Sequence, residues 1–317
     1  MPSTRDQRDD RRAHDTERLK GQTHHARNSP RRSGRDHRAT SGIGKAAALE
    51  LARQGARLTI VCRNEDKGAA TVAELRDTMP GLSADVVRCD LADLESVRRA
   101  GDELVDRYDA IDVLINNAGV NDSQSSLTAD GFDHMMASNY LGPFLLTRLV
   151  LERVKAAAPA RIVVVGSEAH RMAAPFDVER FEELGRYGPM NNNLAYGRTK
   201  LLDQLFTNEL ARRLEGTGVT ANSVCPGLVA TNLVEMGPLR PIMEAAARTP
   251  FVNTPAEGAR LVVRLAANPK LEGVTGRFYT TTPGMRLLPP VPAMLDTQLQ
   301  RRIWERTEKL VGLTPAA

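Results

Sequence analysis

The sequence is short of several features that would settle its class at a glance. It has three cysteines, Cys62, Cys89 and Cys225, widely separated and without a CxxC pair. Such spacing supports neither a disulfide framework nor a thiolate zinc site, and it fits a reducing compartment. Aromatic residues are 4% of the chain, so a base-stacking surface for nucleic acid has little to be built from. No run approaches the length of a membrane span, and none is expected. The N-terminus is charged but has no apolar stretch of the secretory type, so the expected location is cytoplasmic.

Charge is also missing where the total suggests it. The net charge of the 317 residues is +4. Residues 1–38 hold 11 Lys/Arg against 6 Asp/Glu, and the remainder holds 32 against 33. The basic character therefore belongs to one tail, and the body gives no reason to expect a polyanionic partner. Within that tail the apolar side chains are Met1, Ala13, Leu19 and Ala26, with no Val, Ile or aromatic residue. Such a segment cannot offset its ordering entropy and is expected to be disordered. An arm binding nucleic acid or an anionic membrane is the functional alternative; the interspersed Asp6, Asp9, Asp10, Asp15 and Glu17 argue against it.

From Ala39 the pattern changes to alternating helices and strands. Helices are expected over residues 43–53, 67–78, 94–107, 195–214 and 255–267, with a long stretch over 132–155 interrupted at Gly142-Pro143. Strands are expected at 58–62, 86–87, 113–115, 161–165, 219–224 and 276–279. Short apolar strands between helices imply an α/β fold: one parallel sheet covered on both faces. No repeat and no second domain boundary is visible. The domain spans 39–280, and residues 281–317, proline-rich and then helical around Trp304, form an extension packed on it.

Four short motifs carry chemistry. Thr40-Ser-Gly-Ile-Gly44 runs into a helix, where small residues let backbone N–H groups approach a pyrophosphate. Asn116-Asn-Ala-Gly119 follows a strand, and Asp90 ends an earlier one on the same edge; Asp90 also reads as a helix N-cap. Ser167 ends the strand 162–166 on that edge, as a substrate-oxygen donor or as a cap of the next turn. Tyr196 and Lys200 stand at i and i+4, on one helix face. A phenol ionises near pH 10, and an adjacent ammonium favours its phenolate.

Taken in order, Ser41-Gly-Ile-Gly44, Asp90, Asn116-Asn-Ala-Gly119, Asn139, Gly166-Ser167, Tyr196-x-x-x-Lys200 and Pro226-Gly227…Thr231 resemble the classical short-chain dehydrogenase/reductase family over residues 39–280. The segment 176–181, Thr254-Pro-Ala-Glu-Gly258 and the tail around Trp304 are similar to its retinol-dehydrogenase-like and WW-domain-oxidoreductase-like members. The resemblance implies a single Rossmann-type, doubly wound domain that interconverts an alcohol and a carbonyl on a small apolar molecule. It implies catalytic roles for four residues: Tyr196 as general acid/base, Lys200 on Tyr196 and the nicotinamide ribose, Ser167 on the substrate oxygen, and Asn139 on a relay water. It implies cofactor contacts from Ser41, Gly42, Ile43 and Gly44 at the phosphates, from Asp90, Leu91, Asn117, Ala118 and Gly119 on the adenine side, and from Pro226 and Thr231 at the carboxamide. Homo-oligomers are usual in the family, and no metal is implied. Residues 232–251, with Leu233, Met236 and Ile242, read as an apolar lid or as a core helix.

Cofactor choice follows from another absence. The second strand ends Val61-Cys62-Arg63-Asn64, with no carboxylate to take a ribose 2′-hydroxyl or repel a 2′-phosphate. Arg63 offers a planar fork of donors suited to a phosphate, so NADP(H) is expected over NAD(H). Lys67 is a lesser candidate for the same role.

One family element is lacking. Where an apolar first strand and a first glycine are expected, the chain reads Gly34-Arg-Asp-His-Arg38. The first strand is thus expected to be missing or corrupted. A codon choice for these five residues, read one base later, gives Val-Val-Ile-Thr-Gly, so the tail is expected to be out-of-frame translation or a gene-model error. The functional alternative is a dinucleotide-binding protein without turnover, disabled at the glycine motif.

Overall fold

The computed structural model describes residues 25–28, 42–173, 175–229 and 252–313. A parallel sheet runs in the order β3–β2–β1–β4–β5–β6–β9. Its strands are β1 (His25–Asn28), β2 (Arg57–Cys62), β3 (Ala84–Arg88), β4 (Val113–Asn116), β5 (Ala160–Val165), β6 (Val219–Cys225) and β9 (Phe278–Thr280). A separate parallel pair joins β7 (Leu228–Val229) to β8 (Val252–Asn253). Seven longer helices alternate with the strands: α1 (Gly42–Arg53), α2 (Glu65–Thr78), α3 (Leu94–Arg107), α4 (Gly142–Ala156), α5 (Asn192–Arg213), α6 (Pro255–Ala267) and α7 (Thr297–Leu310). This is the doubly wound α/β arrangement the pattern implied.

Alternation along the strands sends side chains into two cores. Leu114, Ile162, Val164 and Ala221 pack with α3, α4, α5 and α7 on one face. Val113, Ile115, Val163 and Val224 pack with α1 and α6 on the other. Helix starts are written locally: Asn64 accepts from Lys67 N, Asp93 from Ser96 N and Asp296 from Leu299 N, and Thr254 with Glu257 forms a capping box. Trp304 of α7 is buried against Phe144 and Phe206, at ring-centroid distances of 4.8 and 5.8 Å, which docks the C-terminal extension on the domain.

The expected corruption of the first strand takes a particular form, and two further sequence expectations are corrected. The central slot of the sheet is not left open. His25–Asn28 lies between β2 and β4, with Ala26 opposite Leu58 and Val113. An empty slot would leave two rows of backbone N–H and C=O groups unpaired, and extended backbone of any sequence can satisfy them. The apolar sequence expected there is absent nonetheless, and the rest of residues 1–38 lies outside the described residues. Second, Gly142-Pro143 does not interrupt the long helix. A π-helical turn (Ala137–Leu141) leads directly into α4, with Pro143 in its first turn. Gly142 is required because a Cβ would sit 2.2 Å from the Leu91 carbonyl oxygen. Third, Asp93, not Asp90, caps α3.

Candidate active site

The C-terminal ends of β2 to β6 form one edge of the sheet, and the expected site residues gather along it. Gly42 opens α1 with φ +58°, a conformation that suits glycine, and Ile43 and Gly44 follow in the first turn. Arg63 stands just past β2 and Asp90 just past β3, and they meet: Arg63 Nε lies 3.4 Å from Asp90 Oδ2. The other Asp90 oxygen accepts from Ala92 N at 3.1 Å. Lys67 is exposed in the first turn of α2. Leu91, Asn117 and Ala118 are buried, and Gly119 follows them past β4. Ser41, Thr231 and the apolar segment 232–251 fall outside the described residues.

Ser167 lies two residues past β5 and caps a short 3-10 helix (Glu168–Met172), its Oγ accepting from Ala169 N at 3.1 Å. That turn lies against α5 at Tyr196: a Cβ on Gly197 would be 2.6 Å from Ala169 O. Glycine here lets the serine turn approach the tyrosine helix. His170 is buried, and burial pushes its pKa down, so the neutral ring donates from Nδ1 to Ser167 O at 2.8 Å.

Tyr196 is half-buried and Lys200 almost wholly so, with Lys200 Nζ 5.8 Å from the Tyr196 ring centroid. The ammonium donates to Val165 O at 3.1 Å and to Asp203 Oδ2 at 2.7 Å. Burial drives the Asp203 carboxyl up to about 6, while Lys200 pulls it down.

Asn139 sits in the π-helical turn. Its carboxamide accepts from Val120 N at 2.6 Å and donates to Val120 O and Thr199 Oγ1, both at 2.9 Å. The side chain therefore fastens the loop after β4 to α5. Pro226 is buried, and its carbonyl accepts from Asn253 Nδ2 at 2.8 Å. Gly227 follows at φ +79°, where a Cβ would be 2.7 Å from Asn253 Nδ2.

Sequence reasoning missed Thr199, which links Asn139 to the Tyr196 carbonyl, and Asp203. An acid three residues after Lys200, on a helix face otherwise destined for the core, was the available signal. It also missed the Asp122–His134 pair, at 2.7 Å, which ties the loop after β4 to the turn before Asn139.

The edge fits a dinucleotide. It carries a guanidinium, an ammonium and the N-terminus of α1 along a line of small residues, which is a donor set for phosphates and ribose. Hollows of about 590 and 620 Å³ lie elsewhere, beside the end of α5 and between α1 and α6, and include none of these residues.

Comparison with known proteins agrees. Residues 38–178 match the family model described as short chain dehydrogenase. The chain is 39% identical over 289 residues to retinol dehydrogenase 14 of Mus musculus, covering 87% of this chain and 84% of the relative. It is 35% identical over 289 residues to retinol dehydrogenase 13 of Homo sapiens, with 87% and 83% covered.

The chain belongs to the short-chain dehydrogenase family.

It is an oxidoreductase acting on CH–OH groups, of the retinol-dehydrogenase-like kind. Among solved structures it is similar to an uncharacterised protein of Mycobacterium paratuberculosis, at TM-score 0.68 and 29% identity, over 93% of this chain and 95% of that one. It is also similar to a blue fluorescent protein from a metagenomic library solved with NADPH, at TM-score 0.61 and 26% identity, over 82% and 96%. Among the described residues no helix is long and apolar enough to cross a membrane.

Proposed function

We propose that this short-chain dehydrogenase interconverts an apolar alcohol and its carbonyl compound with NADP(H), using Tyr196 as general acid/base. The observation that carries the reading is the convergence of Ser167, Tyr196 and Lys200 on one sheet edge, with the lysine buried beside the tyrosine ring. When bound, the nicotinamide supplies or takes up the hydride. In the reducing direction Tyr196 gives its phenolic proton to the carbonyl oxygen, and in the oxidising direction it takes the hydroxyl proton. Ser167 donates a hydrogen bond to that oxygen, and Lys200 stabilises the phenolate. Asp90, Leu91 and Asn117–Gly119 border the adenine half, and Gly42–Gly44 the phosphates.

Arg63 supports NADP(H). Its guanidinium stands where an NAD-binding chain would place a carboxylate, and the blue fluorescent protein carries NADPH. The apolar substrate class is supported by the retinol dehydrogenase relatives.

The test is turnover of the full chain with NADPH and a panel of retinal, decanal and benzaldehyde, beside Tyr196→Phe. The expected result is reduction of the apolar aldehydes, a fall of about 10²- to 10⁴-fold in the variant, and NADPH binding unchanged within threefold. Full activity in the variant removes Tyr196 from the mechanism. The polar sequence of β1 favours a second reading, a dinucleotide-binding chain without turnover. Tight NADPH binding with no reduction of any aldehyde would select it.

A further inference from the structure

Lys200 and Asp203 are both charged, both almost wholly buried, and on one face of α5 at i and i+3, with Nζ and Oδ2 2.7 Å apart. Stability does not account for the pair, because a buried ion pair adds little over an apolar pair of the same volume. Apolar residues at both positions would fill the same space, whereas a neutral residue at 203 alone would leave the buried Lys200 ammonium without its counter-charge. What the carboxylate changes is the field at Tyr196, whose ring lies 5.8 Å from the same ammonium.

We propose that Asp203 is a positioning residue for the reaction: it holds the Lys200 ammonium beside Tyr196 as a charge-balanced pair and so sets the pH range over which Tyr196 exchanges its proton. The inference rests on the roles given above to Tyr196 and Lys200. An unbalanced ammonium would act on the phenol with a full unit charge. A carboxylate 2.7 Å away cancels much of that field at Tyr196, while its hydrogen bond, with that to Val165 O, fixes where the ammonium points.

Among the described residues, Lys200 is the cation that acts on Asp203. From the π-helical turn comes Tyr140, a phenol kept neutral by burial, its hydroxyl 2.8 Å from Thr307 of α7. The charged groups of α7 on this side, Arg306 and Glu308, pair with Glu182 and Arg148. On the turn after Ser167, Glu168 pairs with Arg171 at 2.8 Å and His170 is neutral. His134, before the π-helical turn, pairs with Asp122. β6 brings Ser223 and Cys225 and no charge. Burial raises the Asp203 carboxyl against the pull of the Lys200 ammonium, and the 2.7 Å contact between Nζ and Oδ2 is that of an ion pair.

The test compares wild type, Asp203→Asn and Asp203→Ser in two ways. The first is an ultraviolet titration of the Tyr196 phenolate, taken as the difference from Tyr196→Phe, without and with NADP+. The second is the pH profile of kcat/KM for oxidation of 1-decanol by NADP+. The expected result is that both neutral variants ionise Tyr196 about one pH unit lower, and that the acid limb of the profile moves with it. A downward shift of half a unit or more supports the proposal. A smaller shift, or an upward one, overturns it even if turnover falls. Should neither variant fold, wild-type protein labelled with 15N-lysine decides: an ammonium protected from exchange between pH 7 and 9 is expected, and Lys200 exchanging as fast as the surface lysines overturns the proposal. Full turnover by Tyr196→Phe is a separate failure, that of the catalytic reading.

Discussion

Arg63 and Asp90 show how two site residues constrain each other before any ligand arrives. The guanidinium is only partly exposed and leans on a carboxylate 3.4 Å away. A 2′-phosphate arriving at this edge would compete with Asp90 for the same donors. Replacing Arg63 by Ala should weaken NADPH binding roughly 10- to 100-fold and leave NADH within threefold, since hydrogen bonds to charged groups contribute that much. Fluorescence titration of both nucleotides checks it, and an equal loss for both would place Arg63 outside the 2′-phosphate site. At the other end of β3, the Asp85 carboxylate accepts from Tyr108 at 2.7 Å and from Arg57 at 3.0 Å. Burial raises its pKa, but the Tyr108 hydrogen bond and Arg57 outweigh burial and hold it below the usual carboxylate range. A folded value below the unfolded one means stability that is present above about pH 4 and is lost as pH falls further. Asp85→Asn should therefore cost about 0.5–1 kcal/mol at pH 7, allowing for partial exposure, and less at pH 3. Denaturant melts at the two pH values measure the difference.

Elements place the chemistry by close approach. The serine turn reaches α5 because position 197 has no side chain, and α4 reaches the Leu91 carbonyl because position 142 has none. Both glycines stand in the sequence, but neither announces its contact, which joins segments far apart in the chain. That is why Gly142-Pro143 read as a break although the backbone continues through it. The bounds of helix α3 were legible through its amphipathic stripe, while its cap, Asp93, was not singled out. The C-terminal helix was legible through Trp304, whose ring bridges Phe144 and Phe206 and lies under Arg213 at 4.6 Å. Trp304→Ala should destabilise the protein by about 3–5 kcal/mol, read by denaturant unfolding; a change under 1 kcal/mol would mean that α7 is not docked as described.

At the scale of the molecule, the doubly wound parallel sheet and the gathering of the candidate site residues on one edge follow from the rhythm of short apolar strands and from motifs that stand in family order. The strand in the central slot does not follow from that rhythm. His25–Asn28 is held there by backbone pairing with β2 and β4, and nothing in its side-chain pattern marks it as a strand. Asn139 shows the same limit at the site: its place in the motif series was legible, but its grip on Val120 and Thr199 depends on a π-helical turn with no sequence mark. The central claim, that this edge takes NADP(H) in preference to NAD(H), is tested most directly by titrating the full chain with NADPH and NADH and following nicotinamide fluorescence. The account predicts micromolar NADPH binding, at least tenfold tighter than NADH. NADH binding as tightly as NADPH, or neither binding, would contradict it.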